Sequence, residues 1–199
     1  MNDKPFFESC VQNRAPILAV LREVFADRST VLEIGSGTGQ HAVDFAAALP
    51  HLRWQTGDVQ QHHPGIQSWL DEAGLPNVLS PLALEVNQHA WRGGRYDTVF
   101  SANTLHIMSW PDVTQFFEGV GAVLAPDGVL AVYGPFNYNG RFTSESNARF
   151  DVWLKSRDPA SGVRDFEAID ALARVQGLAL QQDIAMPANN RTLIWKRSG

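Results

Sequence analysis

Residues 31–41 read VLEIGSGTGQH. Val31, Leu32 and Ile34 make an apolar run that reads as a buried strand, and a helix-compatible stretch follows Gly39. Between them, Gly35, Gly37 and Gly39 alternate. Residues without a Cβ let the chain turn sharply and let a bulky ligand lie against main-chain atoms. The next helix presents free N–H groups at the same place. In an open parallel sheet, ligands bind beyond the carboxyl ends of the strands, which is where a turn after a strand lies. This stretch predicts a strand, a ligand-binding turn and a helix; the plainer reading is a tight turn with nothing bound.

Strand and helix patterns alternate outward from this point. An N-terminal helix is expected from Pro16 to Phe25, with Ile17, Leu18, Leu21, Val24 and Phe25 on one face. Strands are expected at 30–34, 52–56, 77–84, 96–101 and 128–133, and helices at 40–49, 62–73 and 111–124. The turn Ala125-Pro126-Asp127-Gly128 should precede the fifth strand. Two more helices, at 144–155 and 165–175, lead to strands at 178–185 and 192–196, whose short connection suits a hairpin. Alternation of this kind predicts an α/β chain: a mostly parallel sheet covered by helices, closed by one antiparallel pair.

The 199 residues suit a single domain, are 44% hydrophobic and 19% charged, and include one cysteine. That composition is globular. No apolar run approaches the ~20 residues of a membrane-spanning helix, and the polar start MNDKPFFESCVQNR does not resemble a secretory signal. With Cys10 alone, no internal disulfide is expected, which suits a cytoplasmic location. A formal net charge of −5 without a basic cluster disfavours nucleic acid as a partner. No metal site is expected: His62 and His63 are adjacent, which is not a chelating spacing on a helix, and no H-E-x-x-H occurs. The G-x-S-x-G of serine hydrolases is likewise absent.

The residues around the loop narrow the ligand. A dinucleotide loop, G-x-G-x-x-G, places its third glycine where Gln40 stands, and a phosphate-binding loop needs a lysine that does not follow Gly39. Glu33, just before the loop, would repel a pyrophosphate and attract an ammonium. S-adenosylmethionine carries an ammonium and a sulfonium and no phosphate.

The pattern E-x-G-x-G-x-G resembles the first motif of class I S-adenosylmethionine-dependent methyltransferases. More narrowly, Gln12-Asn13-Arg14-Ala15-Pro16-Ile17-Leu18, Asn103-Thr104-Leu105-His106-Ile107 and Met186-Pro187-Ala188-Asn189-Asn190 resemble the DUF938 or methyltransferase-like 26 group. The resemblance implies a three-layer, Rossmann-like fold with a mostly parallel seven-stranded sheet and a C-terminal antiparallel hairpin. It implies that S-adenosylmethionine lies over Glu33, Gly35, Ser36, Gly37 and Gly39, its ribose on Asp58 and its adenine by Glu85 and Val86. The methionine end would pass Asn103 and Leu105, and residues Phe6 to Arg14 would fold across the cofactor.

Methyl transfer needs alignment of donor and acceptor, and a base only where the acceptor must lose a proton. His106 is the candidate base, or else a loop histidine bracing the pocket, and Trp110 a candidate wall. The long connection 134–163 has the size of a lid or binding loop. Phe136, Asn137, Tyr138 and Arg141 are therefore the expected contacts for a small-molecule acceptor. Two other readings stay open: a non-catalytic S-adenosylmethionine-binding sensor or scaffold, and a nicotinamide-dependent oxidoreductase, against which Gln40 and Glu33 speak.

Overall fold

The structure, a computed structural model, describes residues 4–88, 91 and 94–199. Strand β1 (Thr30–Ile34) runs parallel between β2 (Arg53–Asp58) and β4 (Tyr96–Ala102). Beyond these lie β3 (Val78–Ala83) against β2 and β5 (Leu124–Gly134) against β4, both parallel. The last two strands, β8 (Leu178–Met186) and β9 (Asn190–Arg197), are antiparallel, with β9 inserted beside β5. The seven strands thus run in the order β3-β2-β1-β4-β5-β9-β8, and the sheet is mostly parallel with a C-terminal antiparallel pair, as expected. The order reverses between β1 and β4, which opens a crevice at their carboxyl ends.

Helices cover both faces because the sheet is apolar on both. Val31 of β1 packs in one core with Ile17, Leu21 and Phe45, from α1 (Glu8–Val24) and α2 (Gln40–Ala48). Leu32 and Ile34 enter the other core, with Phe116 of α4 (Trp110–Val123) and Ile169 of α6 (Phe166–Val175). Each fully buried side chain of this size contributes about 1.5–3 kcal/mol, so the alternation of β1 holds both layers on one strand. Helix α3 (His63–Ala73) packs beside β3 and α2. No helix among the described residues is long and apolar enough to cross a membrane.

Three local expectations need correction. Helix α1 begins at Glu8, not Pro16, and contains the proline. Pro16 removes one backbone donor, but the acceptor it would have served belongs to Gln12, which is exposed and open to water. Contacts with α2 stabilise the polar first turns: Asn13 Oδ1 lies 2.7 Å from His41 Nε2, and Arg14 pairs with Asp44 at 3.2 Å. The turn at 125–128 does not end before β5; it is a bulge within it, where the partner register jumps from Tyr96–Leu124 to Thr98–Val129 and Asp127 adopts φ 58°. The 134–163 connection holds the helix expected at 144–155, and it also forms a strand that the sequence does not predict. It contains β6 (Phe136–Asn137), which pairs in parallel with β7 (Arg164–Asp165), and helix α5 (Glu145–Arg157).

Candidate active site

The glycine loop leaves β1 and immediately contacts its neighbours. The Gly35 and Ser36 amides both donate to Gly57 O of β2, at 2.9 and 3.2 Å, and the Gly39 amide donates to Ser36 O. All three glycines have positive φ. At Gly35 the glycine is obligatory for two reasons: φ is +75°, and a Cβ would lie 2.8 Å from Thr104 Cγ2 and Oγ1. Gly39 seats α2 against α3, with a Cβ position only 3.1 Å from Ile66 Cα. Gly37 differs, since a Cβ there would meet only the Phe7 ring, at 3.9 Å. The space beside Gly37 is open.

That space is a cavity of about 480 Å³ at the crevice between β1 and β4. Gly35, Ser36, Gly37, Asp58, Glu85, Val86 and Asn103 all line it. Asp58 ends β2, and its Oδ2 accepts the Gly37 amide at 2.7 Å. Its Oδ1 accepts the Val59 amide at 2.7 Å and lies 2.8 Å from His62 Nδ1. The carboxylate is thereby fixed, and Oδ2, which accepts from Gly37 alone, keeps room for a further donor. Helix α1 brings Phe7, Ser9 and Cys10 to the same cavity, over the loop rather than under it.

Glu33 does not line the cavity. It is buried beneath Ser36, and its Oε2 accepts both Ser36 Oγ at 3.0 Å and Trp54 Nε1 at 3.1 Å. Among the described residues Oε1 has no protein donor. Burial raises its pKa to about 7, against the lowering effect of the Trp54 and Ser36 hydrogen bonds and with a small push from Asp58. The carboxylate therefore acts on the loop through Ser36.

A second cavity, about 560 Å³, shares Ser9 and Asn103 with the first. Helix α1, through Gln12, Asn13 and Pro16, helix α5, the 187–190 connection and the end of β5 form its other walls. Asn103 stands at the junction with φ 58°, an unusual conformation for a residue with a Cβ, and its amide donates to Tyr133 O at 2.9 Å. A left-handed residue at the end of a strand turns the chain between the two cavities.

The model of the family described as "Protein of unknown function (DUF938)" matches residues 4–197. The chain belongs to the DUF938 family. Its fold is that of the class I methyltransferases. An O-methyltransferase family protein from Burkholderia thailandensis superposes with a TM-score of 0.84 at 20% identity, over 96% of this chain and 58% of that one. Mitomycin 7-O-methyltransferase MmcR matches with a TM-score of 0.84 at 18% identity, over 96% and 54%. PigF, solved with SAH, matches with a TM-score of 0.78 at 15% identity, over 96% and 64%. The DUF938 chain thus spans little more than half the length of the first two, and identities this low establish a common fold.

Within that fold, several expected positions fall elsewhere. Gly39 packs on Ile66, away from the cavity, and Leu105 is buried in the core; Thr104, Ile107 and Met108 line the cavity in its place. His106 lines neither cavity. Its ring packs edge-on against Phe150 at 5.2 Å, and its carbonyl accepts the Gly162 amide. Burial, with Arg164 nearby, lowers its pKa to about 4, so its imidazole is neutral at physiological pH.

The expected acceptor contacts do not converge. Phe136 is buried in the core because β6 turns it inward, and Asn137 donates Nδ2 to Val163 O at 3.5 Å. Tyr138 stacks on Phe166 and donates its hydroxyl to Asp183 Oδ2 at 2.8 Å. Arg141 is exposed beyond a backbone bridge to Tyr138, and Trp110 is half-exposed at the start of α4. The β6–β7 ladder sends this segment to the far side of the connection, and α5, further along it, is the part that reaches the second cavity.

The sequence reading also missed Gln40 as a clamp. Its Oε1 accepts the Phe7 amide at 2.7 Å and Thr38 Oγ1 at 2.9 Å. The residue that breaks the dinucleotide pattern therefore holds the N-terminal segment over the loop.

Proposed function

We propose that this DUF938 chain is an S-adenosylmethionine-dependent methyltransferase acting on a small molecule. The observation that carries the reading is the charge of the first cavity. Asp58, Glu85 and Asp112 line it, with no lysine or arginine among the described lining residues. Such a wall disfavours a pyrophosphate and favours a cation. The open face at Gly37 supplies the room that a nucleoside needs against the loop.

In this reading Gly35, Ser36 and Gly37 form the floor, Asp58 accepts the ribose hydroxyls, and Glu85 and Val86 flank the adenine. Asn103 and Thr104 lie at the methionine end, and Glu33 sets the negative field beneath Ser36. Bound there, S-adenosylmethionine would supply a methyl group activated by its positive sulfur. The protein then has to align an acceptor and exclude water. No general base is required of His106. The second cavity at Asn103, about 560 Å³, supports a small acceptor, as do the names of the structural neighbours, which include a mitomycin 7-O-methyltransferase.

Isothermal titration with S-adenosylhomocysteine and with NADH tests the reading. Saturable binding of the first and none of the second is expected. Binding of NADH without S-adenosylhomocysteine would overturn it in favour of a nicotinamide enzyme.

A further inference from the structure

The second cavity is built almost wholly of uncharged groups. Among the described residues lining it there is no Asp, Glu, Lys, Arg or His. Six carboxamides face it instead: Gln12, Asn13, Asn103, Asn147, Asn189 and Asn190. Four of these are held by the protein. Asn13 is fixed against His41 at 2.7 Å, Asn147 donates to Thr143 Oγ1 and Asn189 O at 2.9 and 3.0 Å, Asn189 donates to Ser146 Oγ at 3.1 Å, and Asn190 donates to Pro187 O at 3.3 Å. The side chains of Gln12 and Asn103 make no hydrogen bond to the protein among the described residues. Phe150 and prolines at three points of the wall supply flat apolar surface.

Three physical constraints follow. A charged ligand would lose part of its hydration without meeting a counter-ion, which disfavours it. A carboxamide offers both donors and an acceptor, and so pairs with a neutral edge that carries both. Flat apolar walls between such amides suit a ring lying in a plane.

We propose that the second cavity holds the methyl acceptor, and that this acceptor is an uncharged planar ring with an amide- or lactam-like hydrogen-bonding edge. The assignment of the occupant as acceptor rests on the methyltransferase reading; the charge and shape it must have rest on the cavity alone. Asn103, common to both cavities, is the residue that such a ring and the cofactor would share.

Benzamide, benzoate and benzamidine are near-isosteric planar probes, respectively neutral, anionic and cationic. Titration into protein saturated with S-adenosylhomocysteine should show benzamide binding at least tenfold more tightly than either charged probe. Asn189→Asp, which places a carboxylate in the wall, should reverse the preference and strengthen benzamidine binding at least tenfold. Its circular dichroism reports whether it folds, and Gln12→Glu is the second variant with the same expected reversal. Equal binding of a charged probe by the unaltered protein, no binding of benzamide, or a preference unmoved in both variants would each overturn the proposal. If S-adenosylhomocysteine itself does not bind, the cofactor reading fails separately, and the change in benzamidine affinity between the unaltered free protein and Asn189→Asp still reports on the second cavity, because the acidic first cavity is the same in both.

Discussion

The Gly37 amide donates to Asp58 Oδ2 at 2.7 Å, joining the glycine loop after β1 to the end of β2. The bond fixes the loop and the carboxylate together, so the floor of the cavity and its acidic wall are preformed. Replacing Asp58 by Ala removes this acceptor and those used by Val59 and His62. Hydrogen bonds to charged groups contribute about 1.5–3 kcal/mol each. Asp58→Ala should weaken S-adenosylhomocysteine binding by about tenfold to a hundredfold, measured by calorimetry.

Glu33 makes stability depend on pH. Its pKa rises from 4.5 to about 7 on folding, so the folded state binds more protons than the unfolded state between those values. Stability is then fully present below pH 4.5 and falls as pH rises to about 7, by about 3 kcal/mol at 1.36 kcal/mol per unit. Glu33→Gln should flatten melting temperature across this window and raise it at pH 8. The ammonium of a bound S-adenosylhomocysteine favours the ionised carboxylate, so this ligand should bind more tightly at pH 8 than at pH 6. That difference should vanish in the variant.

Two glycines of one loop should respond in opposite ways. Gly35→Ala drives a Cβ to within 2.8 Å of Thr104 and should lower the melting temperature. Gly37→Val meets open space near Phe7 at φ +60°; its backbone cost is about 1–2 kcal/mol, and its branched side chain fills the ligand's place. It should fold, with circular dichroism close to that of the unaltered protein, and bind no S-adenosylhomocysteine. Normal binding by Gly37→Val would remove the loop from the site.

Arg164 of β7 holds the far wall. It donates Nε to Leu105 O at 3.2 Å and Nη2 to Met108 O and Ala160 O. Ile107 and Met108 of that segment line the first cavity. Arg164→Ala should speed hydrogen exchange of amides 105–109 and weaken S-adenosylhomocysteine binding several-fold. Arg164→Lys should not restore either, because a single ammonium lacks the planar fork that reaches separate carbonyls.

Gln40→Gly restores the third glycine of a dinucleotide loop and releases Phe7. The expected result is faster dissociation of S-adenosylhomocysteine in stopped-flow measurements, with no gain of NADH affinity, since the acidic wall is unchanged.

The strand at 31–34, the three glycines and the alternating pattern of strands and helices were legible because each is a local rule: an apolar run, a missing Cβ, a period. The residues that line the first cavity and were named from the sequence, Gly35, Ser36, Gly37, Asp58, Glu85, Val86 and Asn103, all sit at or just after strand ends. In a parallel sheet, that position alone brings them to one edge.

The start of α1, the role of Gln40 and the second cavity were not legible. Residues 8–15 look unlike a helix beginning because Pro16 follows a polar stretch, and their contacts are with α2 residues 28 and 30 positions along. The 134–163 connection announced its length but not its path, and the β6–β7 pairing, between segments far apart in the chain, carries Tyr138 and Arg141 away from the site while α5 approaches it. Sequence by itself determined the sheet and the edge where the first cavity opens, since backbone sterics and hydrophobic period act between neighbours in the chain. Only tertiary structure decided which side chains close that edge, because those positions depend on packing between segments whose separation in sequence says nothing about their separation in space.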